Sequence, residues 1–251
     1  MKTAARWGTK NWLLSLAFFA ALPACSGRAS ENEAARTILA TVETARTYVL
    51  PPPRTDGGIS VESALASRRS RRRFQDRAIS AEQLSQILWA AYGVTLPMPN
   101  HPALRGGLRT APSAGALYPL EIYVIVGNVQ GIQAGVYRYI SGDHKLVRTI
   151  DRDVRRELGI AALGQRMAAD APATLVFSAV FERTTARYGA RGRRYVYIEL
   201  GHAAQNVYLQ AEALGLGTCA IGAFLDSGVR QLLQLPANEE PLYIMPVGYF
   251  Y

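Results

Sequence analysis

Five arginines fall within six positions of the stretch Ser67–Phe74, SRRSRRRF. Charge packed so tightly has three readings: a solvated basic face, a nucleic-acid patch, or a clamp for a phosphate. A clamp needs two or three guanidinium or ammonium groups and a hydroxyl converging on one anion. Arg68, Arg69, Ser70 and Arg72 supply that set, which leaves Arg71 and Arg73 as solvated neighbours. A nucleic-acid patch would carry interleaved aromatic or further basic residues along the surface. The run is isolated, so no nucleic-acid partner is expected. A second segment, APSAGALYPLEIYVIV, holds the turn Pro112-Ser113-Ala114-Gly115. It lacks bulky side chains, so its backbone N–H groups can approach a flat ligand; by itself it is also an ordinary loop before a strand. A third segment, Gly215–Ala220 (GLGTCA), matches G-x-G-x-x-A. A dinucleotide fingerprint follows a strand and opens a helix. Here the glycines follow a helical pattern and lead into a strand, so Gly215 reads as a helix C-cap.

Other chemistry is sparse. His101, His144 and His202 are scattered, and Cys25 and Cys219 form no C-x-x-C pair, so no metal site is expected. The net charge of +9 favours an anionic ligand, a membrane surface or nucleic acid without specifying a fold. Lys2, Arg6 and Lys10 precede the apolar run Trp12–Ala24, the pattern of a secretory signal and too short for a membrane span. The run ends in LPAC. This resembles a lipoprotein signal over residues 1–25, with Cys25 as the lipidated residue; a cleaved signal with an incidental cysteine is the alternative. Either places the protein at the cell envelope, on the periplasmic side. Residues 26–58, ending in LPPPRTDGG, read as a linker or tether, and 59–251 as the domain.

The elements that must position these segments are legible from periodicity. Ser60 caps a helix through Ser67, with the arginines at its C-terminal end. Ser80 and Gln83 form a capping box for a helix carrying Leu84, Ile87, Leu88 and Ala91, closed by Gly93 at C′. Thr95–Arg109 is a loop. Leu120–Val126 and Ala173–Phe181 are buried strands, and a hairpin turns at Ser141-Gly142-Asp143. A long helix over Arg194–Leu214 presents Leu200, Ala203, Ala204, Val207, Ala211 and Leu214 on one face. A short helix precedes Pro236, and a last strand is limited by Pro246. Strands and helices without a regular β-α-β rhythm predict an α+β fold with a mixed sheet flanked by helices.

The segments RRSRRRF, RTAPSAGALYPLEIYVIV, GVYRY and GHAAQNVYLQAEALGLGTCAIGAF occur in the order seen in the nitroreductase superfamily. From about Val61 to Gly248 the chain resembles its SagB/ThcOx-type dehydrogenase branch. The resemblance implies an FMN-binding intertwined homodimer with the flavin at the subunit interface. Arg68, Arg69, Ser70 and Arg72 would hold the phosphate and ribityl chain, and Pro112, Ser113, Ala114 and Gly115 would line the flavin from the other subunit. Ile221, Gly222 and Ala223 match the segment passing the reactive edge of the ring. The long helix would be the dimer core, with His202, Gln205 and Asn206 structural and Cys219 a buried apolar residue. The implied activity is hydride transfer between FMN and a small organic substrate by a ping-pong mechanism. The alternative is an exported flavin-binding relative without turnover, serving an assembly. Azole-forming members use a Lys-Tyr pair; here Arg187-Tyr188 stands nearest, and arginine does not readily release a proton, which leaves Tyr188 as the catalytic candidate. The loop Thr95–Gly107 and the region Arg183–Arg194 would shape the substrate pocket.

Overall fold

Alternation along the central strands decides the layering. The computed structural model describes residues 46–251. In β4 (Leu120–Val126) every side chain is buried. Leu120, Ile122, Val124 and Val126 enter one core, and Tyr123 and Ile125 the other. β7 (Ala173–Ala179) divides in the same way, with Leu175 and Phe177 on the first side and Val176 on the second. Successive side chains point to opposite faces, so a strand apolar at both parities needs cover on both faces of the sheet.

That sheet has seven strands in the order β1-β6-β5-β4-β7-β9-β8. The remaining members are β1 (Thr47–Val49), β5 (Gly135–Ile140), β6 (Lys145–Ile150), β8 (Gly217–Thr218) and β9 (Glu240–Gly248). All its strand pairings are antiparallel. The mixed character expected from the sequence survives only at isolated parallel bridges, one of which joins Ser70 to Thr218. The first face is covered by α2 (Ala81–Tyr92) and α6 (Arg191–Ala213). The second is covered by α3 (Arg155–Ala161), α4 (Met167–Asp170) and α7 (Asp226–Leu233). Two further helices, α1 (Val61–Ser67) and α5 (Glu182–Tyr188), flank α6.

Local signals behave as their chemistry requires. Ser60 Oγ accepts the Ser63 N–H at 3.1 Å. In α2 the box is reciprocal: Ser80 Oγ accepts the Gln83 N–H, and Gln83 Oε1 accepts the Ser80 N–H. Gly93 ends α2 for a different reason than expected. Its φ is −71°, outside the left-handed region. A Cβ there would lie 2.3 Å from Trp89 Cδ1 and 2.8 Å from Trp89 Cα, so the close approach of Trp89 demands glycine.

Three expectations need correction. Thr95–Arg109 is not a plain loop: β2 (Val94–Pro97) pairs with β3 (Gly107–Arg109) as a small antiparallel unit. Pro246 does not limit the last strand, because β9 continues to Gly248. It shares parity with Ile244, which bonds Ile221, so its missing N–H faces the short β8 side, where pairing is already interrupted. Residues 46–58, expected as part of a tether, are also tied into the domain. β1 pairs with β6, and Leu50 is buried. The Pro51 carbonyl accepts from Ser85 Oγ at 2.5 Å, and the Arg54 N–H donates to Gln86 Oε1 at 2.8 Å. A proline lacks a donor but keeps its carbonyl, and at Pro51 a side chain of α2 satisfies it. The expected signal segment with Cys25, and tether residues 26–45, lie outside the described residues. Among the described residues no helix is long and apolar enough to cross a membrane.

Candidate functional site

The site is organised by α6. Its buried stripe runs through Val196, Leu200, Ala203, Ala204, Val207 and Ala211. Small side chains in that stripe bring the helix close to the sheet. Polar residues flank it on either side. Glu199, His202 and Asn206 stand on one flank and Tyr208 and Glu212 on the other. Glu199 and Tyr208 are nine positions apart, two and a half turns, so they face opposite ways.

The Tyr208 flank holds the arginine segment. The Tyr208 hydroxyl accepts the Ala220 N–H at 2.8 Å and lies 3.1 Å from Ser70 Oγ, to which its own proton is then available. The Arg68 guanidinium sits 5.3 Å from the Tyr208 ring centre, and the Arg69 N–H donates to Glu212 Oε1 at 3.1 Å. One side chain therefore ties the expected phosphate segment to the expected ring segment at Ile221. Ile221 itself is fixed by a reciprocal backbone pair with Ile244. Gly222 and Ala223 follow it exposed, and their N–H groups donate to nothing among the described residues. Cys219 is fully buried; burial pushes its thiol up to about 11, against a smaller opposing pull from Arg72. A thiol so placed is a packing residue.

Arg68, Arg69, Arg71, Arg72 and Arg73 form no ion pair among the described residues, whereas arginines elsewhere in the chain do. Such a row of unneutralised guanidiniums, with the Ser70 hydroxyl among them, suits a phosphate. Arg71 departs from expectation. It is half buried, not solvated, with its guanidinium 4.3 Å from the Phe250 ring centre. Its stem packs so closely on Gly217 that a Cβ there would lie 2.7 Å away. The reason is register: the Arg71 N–H bonds the Thr218 carbonyl, which turns its side chain over the sheet edge.

The opposite flank of α6 holds the loop at 112–115. The Asn206 amide donates to the Thr110 carbonyl at 3.5 Å, and His202 Nδ1 lies 3.4 Å from the Pro112 carbonyl oxygen. Ser113 Oγ accepts the Tyr118 N–H at 3.0 Å, and its hydroxyl lowers the Glu199 carboxyl. Glu199 is buried and accepts from the Tyr92 hydroxyl. Burial raises its carboxyl to about 7, although the bonds from Ser113 and Tyr92 and the Arg109 charge pull the other way. Burial and the Glu199 charge raise the Tyr92 phenol well above its ordinary value. Gly115 has φ +64°, and a Cβ on it would lie 2.8 Å from the Tyr188 hydroxyl and 3.0 Å from Arg187 Nη1. The structure thus brings Tyr188, the catalytic candidate, onto the 112–115 turn. Tyr188 is held edge-to-face against Tyr195, ring centres 5.1 Å apart.

Within one chain, then, Arg68–Arg72 and Ile221–Ala223 come together, and Pro112–Gly115 joins Tyr188, but the two groups stand on opposite flanks of α6. Sequence reasoning missed two residues at the joints. Tyr208 had a signal, a polar side chain next to the apolar stripe of a long helix. Glu199 had one as well, a carboxylate bordering a face of small apolar residues.

Comparison with known proteins agrees with the fold and the family. The model of the Nitroreductase family matches residues 65–249. The chain is 50% identical over 190 residues to the nitroreductase-named protein MJ1384 of Methanocaldococcus jannaschii, covering 76% of this chain and 91% of that one. It is 30% identical over 146 residues to the microcin B17-processing protein McbC of Escherichia coli, covering 56% of this chain and 54% of McbC. Its structure overlays that of a nitroreductase-named protein from Ralstonia eutropha with a TM-score of 0.69 and 30% identity, covering 82% and 90% of the two chains. With the fold, the order of the segments and the family match in agreement, the chain belongs to the nitroreductase family of oxidoreductases, whose members commonly bind flavin.

Proposed function

We propose that the protein is an FMN-dependent oxidoreductase of the SagB-type dehydrogenase branch, passing hydride between FMN and a small organic substrate in a ping-pong cycle. The observation that carries this reading is the row of guanidiniums at Arg68–Arg73 without an ion pair among the described residues, tied through Tyr208 to the segment that leads into Ile221–Ala223. Arg68, Arg69 and Arg72, with Ser70, would bind the FMN phosphate and ribityl chain, and Ile221, Gly222 and Ala223 would pass the ring edge. FMN, when bound, supplies the two-electron chemistry. The chain's own groups bind, orient and shed water. Tyr188 would hold a proton at its hydroxyl beside the 112–115 turn.

The opposite placement of the two segment groups on α6 supports a homodimer, in which Pro112–Gly115 of one subunit reaches the arginine segment of another. Likeness to a processing protein supports dehydrogenation of a peptide-derived or similar small substrate. The charged and apolar start of the sequence, with Cys25, supports placement at the cell envelope.

The test is a titration of full-length protein with FMN, followed by its visible spectrum. Tight, saturable FMN binding is expected, with bound flavin that dithionite reduces and a nitroaromatic, quinone or azoline acceptor reoxidises. Arg68→Ala with Arg72→Ala should weaken FMN retention by at least ~10-fold, as expected for lost charge-assisted bonds. Undiminished retention in the double variant would refute the phosphate assignment. Flavin that reduces but is reoxidised by no acceptor would favour a binding protein without turnover.

A further inference from the structure

A cavity of about 420 Å³ lies between the β2–β3 unit and strands β4 and β5. Its floor is apolar and buried, formed by Leu120, Ile122 and Tyr139. Its wall is cationic, with Arg105, Arg109 and Arg138 around Glu121. Such a volume is in the range that takes small organic ligands.

Glu121 is the sole charged side chain in β4 and is 6% exposed. A buried carboxylate needs a cation, and this one has three. Its Oε1 accepts from Arg105 at 3.0 Å and Arg183 at 2.6 Å, and Oε2 accepts from Arg138 at 2.9 Å. Burial works to raise the Glu121 carboxyl, but Arg138 and Arg183 outweigh it and hold the carboxyl below its ordinary value. The cations are in excess. Burial and then the neighbouring Arg183 lower the Arg105 guanidinium, with Arg109 and Arg138 adding to the effect against Glu121. Arg109 lies between the rings of Tyr92 and Tyr118, 4.3 and 4.5 Å from their centres, and its buried Nε has no partner among the described residues. Asp143, also on the wall, does not neutralise them, since it pairs with Lys145 at 2.8 Å.

We propose that this cavity binds the carboxylate of a small amphipathic organic anion. The guanidinium edges not used by Glu121 take the carboxylate, and the exposed rings of Pro97 and Pro99 at the cavity rim take the apolar body. Planar guanidinium forks match a carboxylate. Inorganic phosphate brings no apolar body to the cavity, so it forgoes the burial that a small organic carboxylate gains there. The cavity is separate from the arginine segment, which borders β8 at the far edge of the sheet. It communicates with the 112–115 loop through Arg109, Tyr92, Glu199 and Ser113.

The test is calorimetric titration of full-length protein, without added flavin, with phenylacetate, its uncharged analogue phenylacetamide, and inorganic phosphate. Phenylacetate should bind one-to-one, and phenylacetamide and phosphate at least ~10-fold more weakly. Arg105→Gln should weaken phenylacetate at least ~10-fold; its side chain is 38% exposed, and Arg138 and Arg183 still hold Glu121, so the fold should persist by circular dichroism. Arg138→Gln should act in the same direction. Equal binding of phenylacetamide, tighter binding of phosphate, no binding of phenylacetate, or an Arg105→Gln variant with unchanged affinity would each overturn the proposal. Because FMN is absent from the titration, the outcome is independent of the flavin reading.

Discussion

Ser70 and Tyr208 are joined by a 3.1 Å hydrogen bond, and the same phenol oxygen accepts the N–H of Ala220 at 2.8 Å. One hydroxyl on α6 thus fixes the spacing between the arginine segment and the segment entering Ile221. Tyr208→Phe keeps the ring under Arg68 but leaves the Ala220 N–H and Ser70 without this partner. The expected cost is about 1–3 kcal/mol of stability, read by urea denaturation. FMN affinity should fall several-fold, because the two segments lose their common anchor. A variant that is destabilised yet keeps full FMN affinity would confine Tyr208 to a structural role.

Glu199 makes stability depend on pH. Its folded carboxyl is raised from the ordinary 4.5 to about 7. Between those values the folded state binds more protons than the unfolded state, so stability falls as pH rises from 4.5 through about 7. The stabilisation is complete below the lower value and gone above the upper one. Glu199→Gln removes the titration while keeping an acceptor for Tyr92. Between pH 5 and 8 the wild type should lose on the order of 1–3 kcal/mol more than the variant. Urea denaturation at both pH values measures this; parallel losses would show that Glu199 is ionised throughout.

Arg71 separates structure from binding within the arginine run. Arg71→Ala removes the stacking on Phe250 and the stem packed on Gly217, while the backbone bond to Thr218 remains. A loss of about 1 kcal/mol is expected, visible as a lower thermal midpoint, with FMN retention close to wild type. A collapse of FMN binding matching that of the Arg68→Ala, Arg72→Ala pair would place Arg71 in the phosphate site instead.

Much of the fold was legible in the chain because its signals are local. Ser60 and the Ser80–Gln83 box mark helix starts, the runs at Leu120–Val126 and Ala173–Ala179, with apolar residues at both parities, mark strands covered on both faces, and the small-residue stripe marks α6. What failed depended on partners distant in sequence. Prolines at 51–53 read as tether, but the edge strand ahead of them has β6 to pair with. Pro246 read as a stop, but its missing donor faces the interrupted edge.

The sequence alone determined which segments carry chemistry, because arginine forks, a turn without bulky side chains and a helical stripe are properties of residue type and spacing. It could not say which of them meet. Arg71 and Arg72 are adjacent in the chain, yet one stacks on Phe250 and the other is exposed without an ion pair among the described residues, a division set by the bridge to β8. Glu199 and Tyr208 share one helix but serve opposite sides of it, and the raised carboxyl of the first exists only because packing against the sheet buries it, against the opposing pull of Ser113 and Tyr92. Burial and convergence are properties of the packed molecule, and they decide which polar groups are anchors, which are charged and which remain open to a ligand.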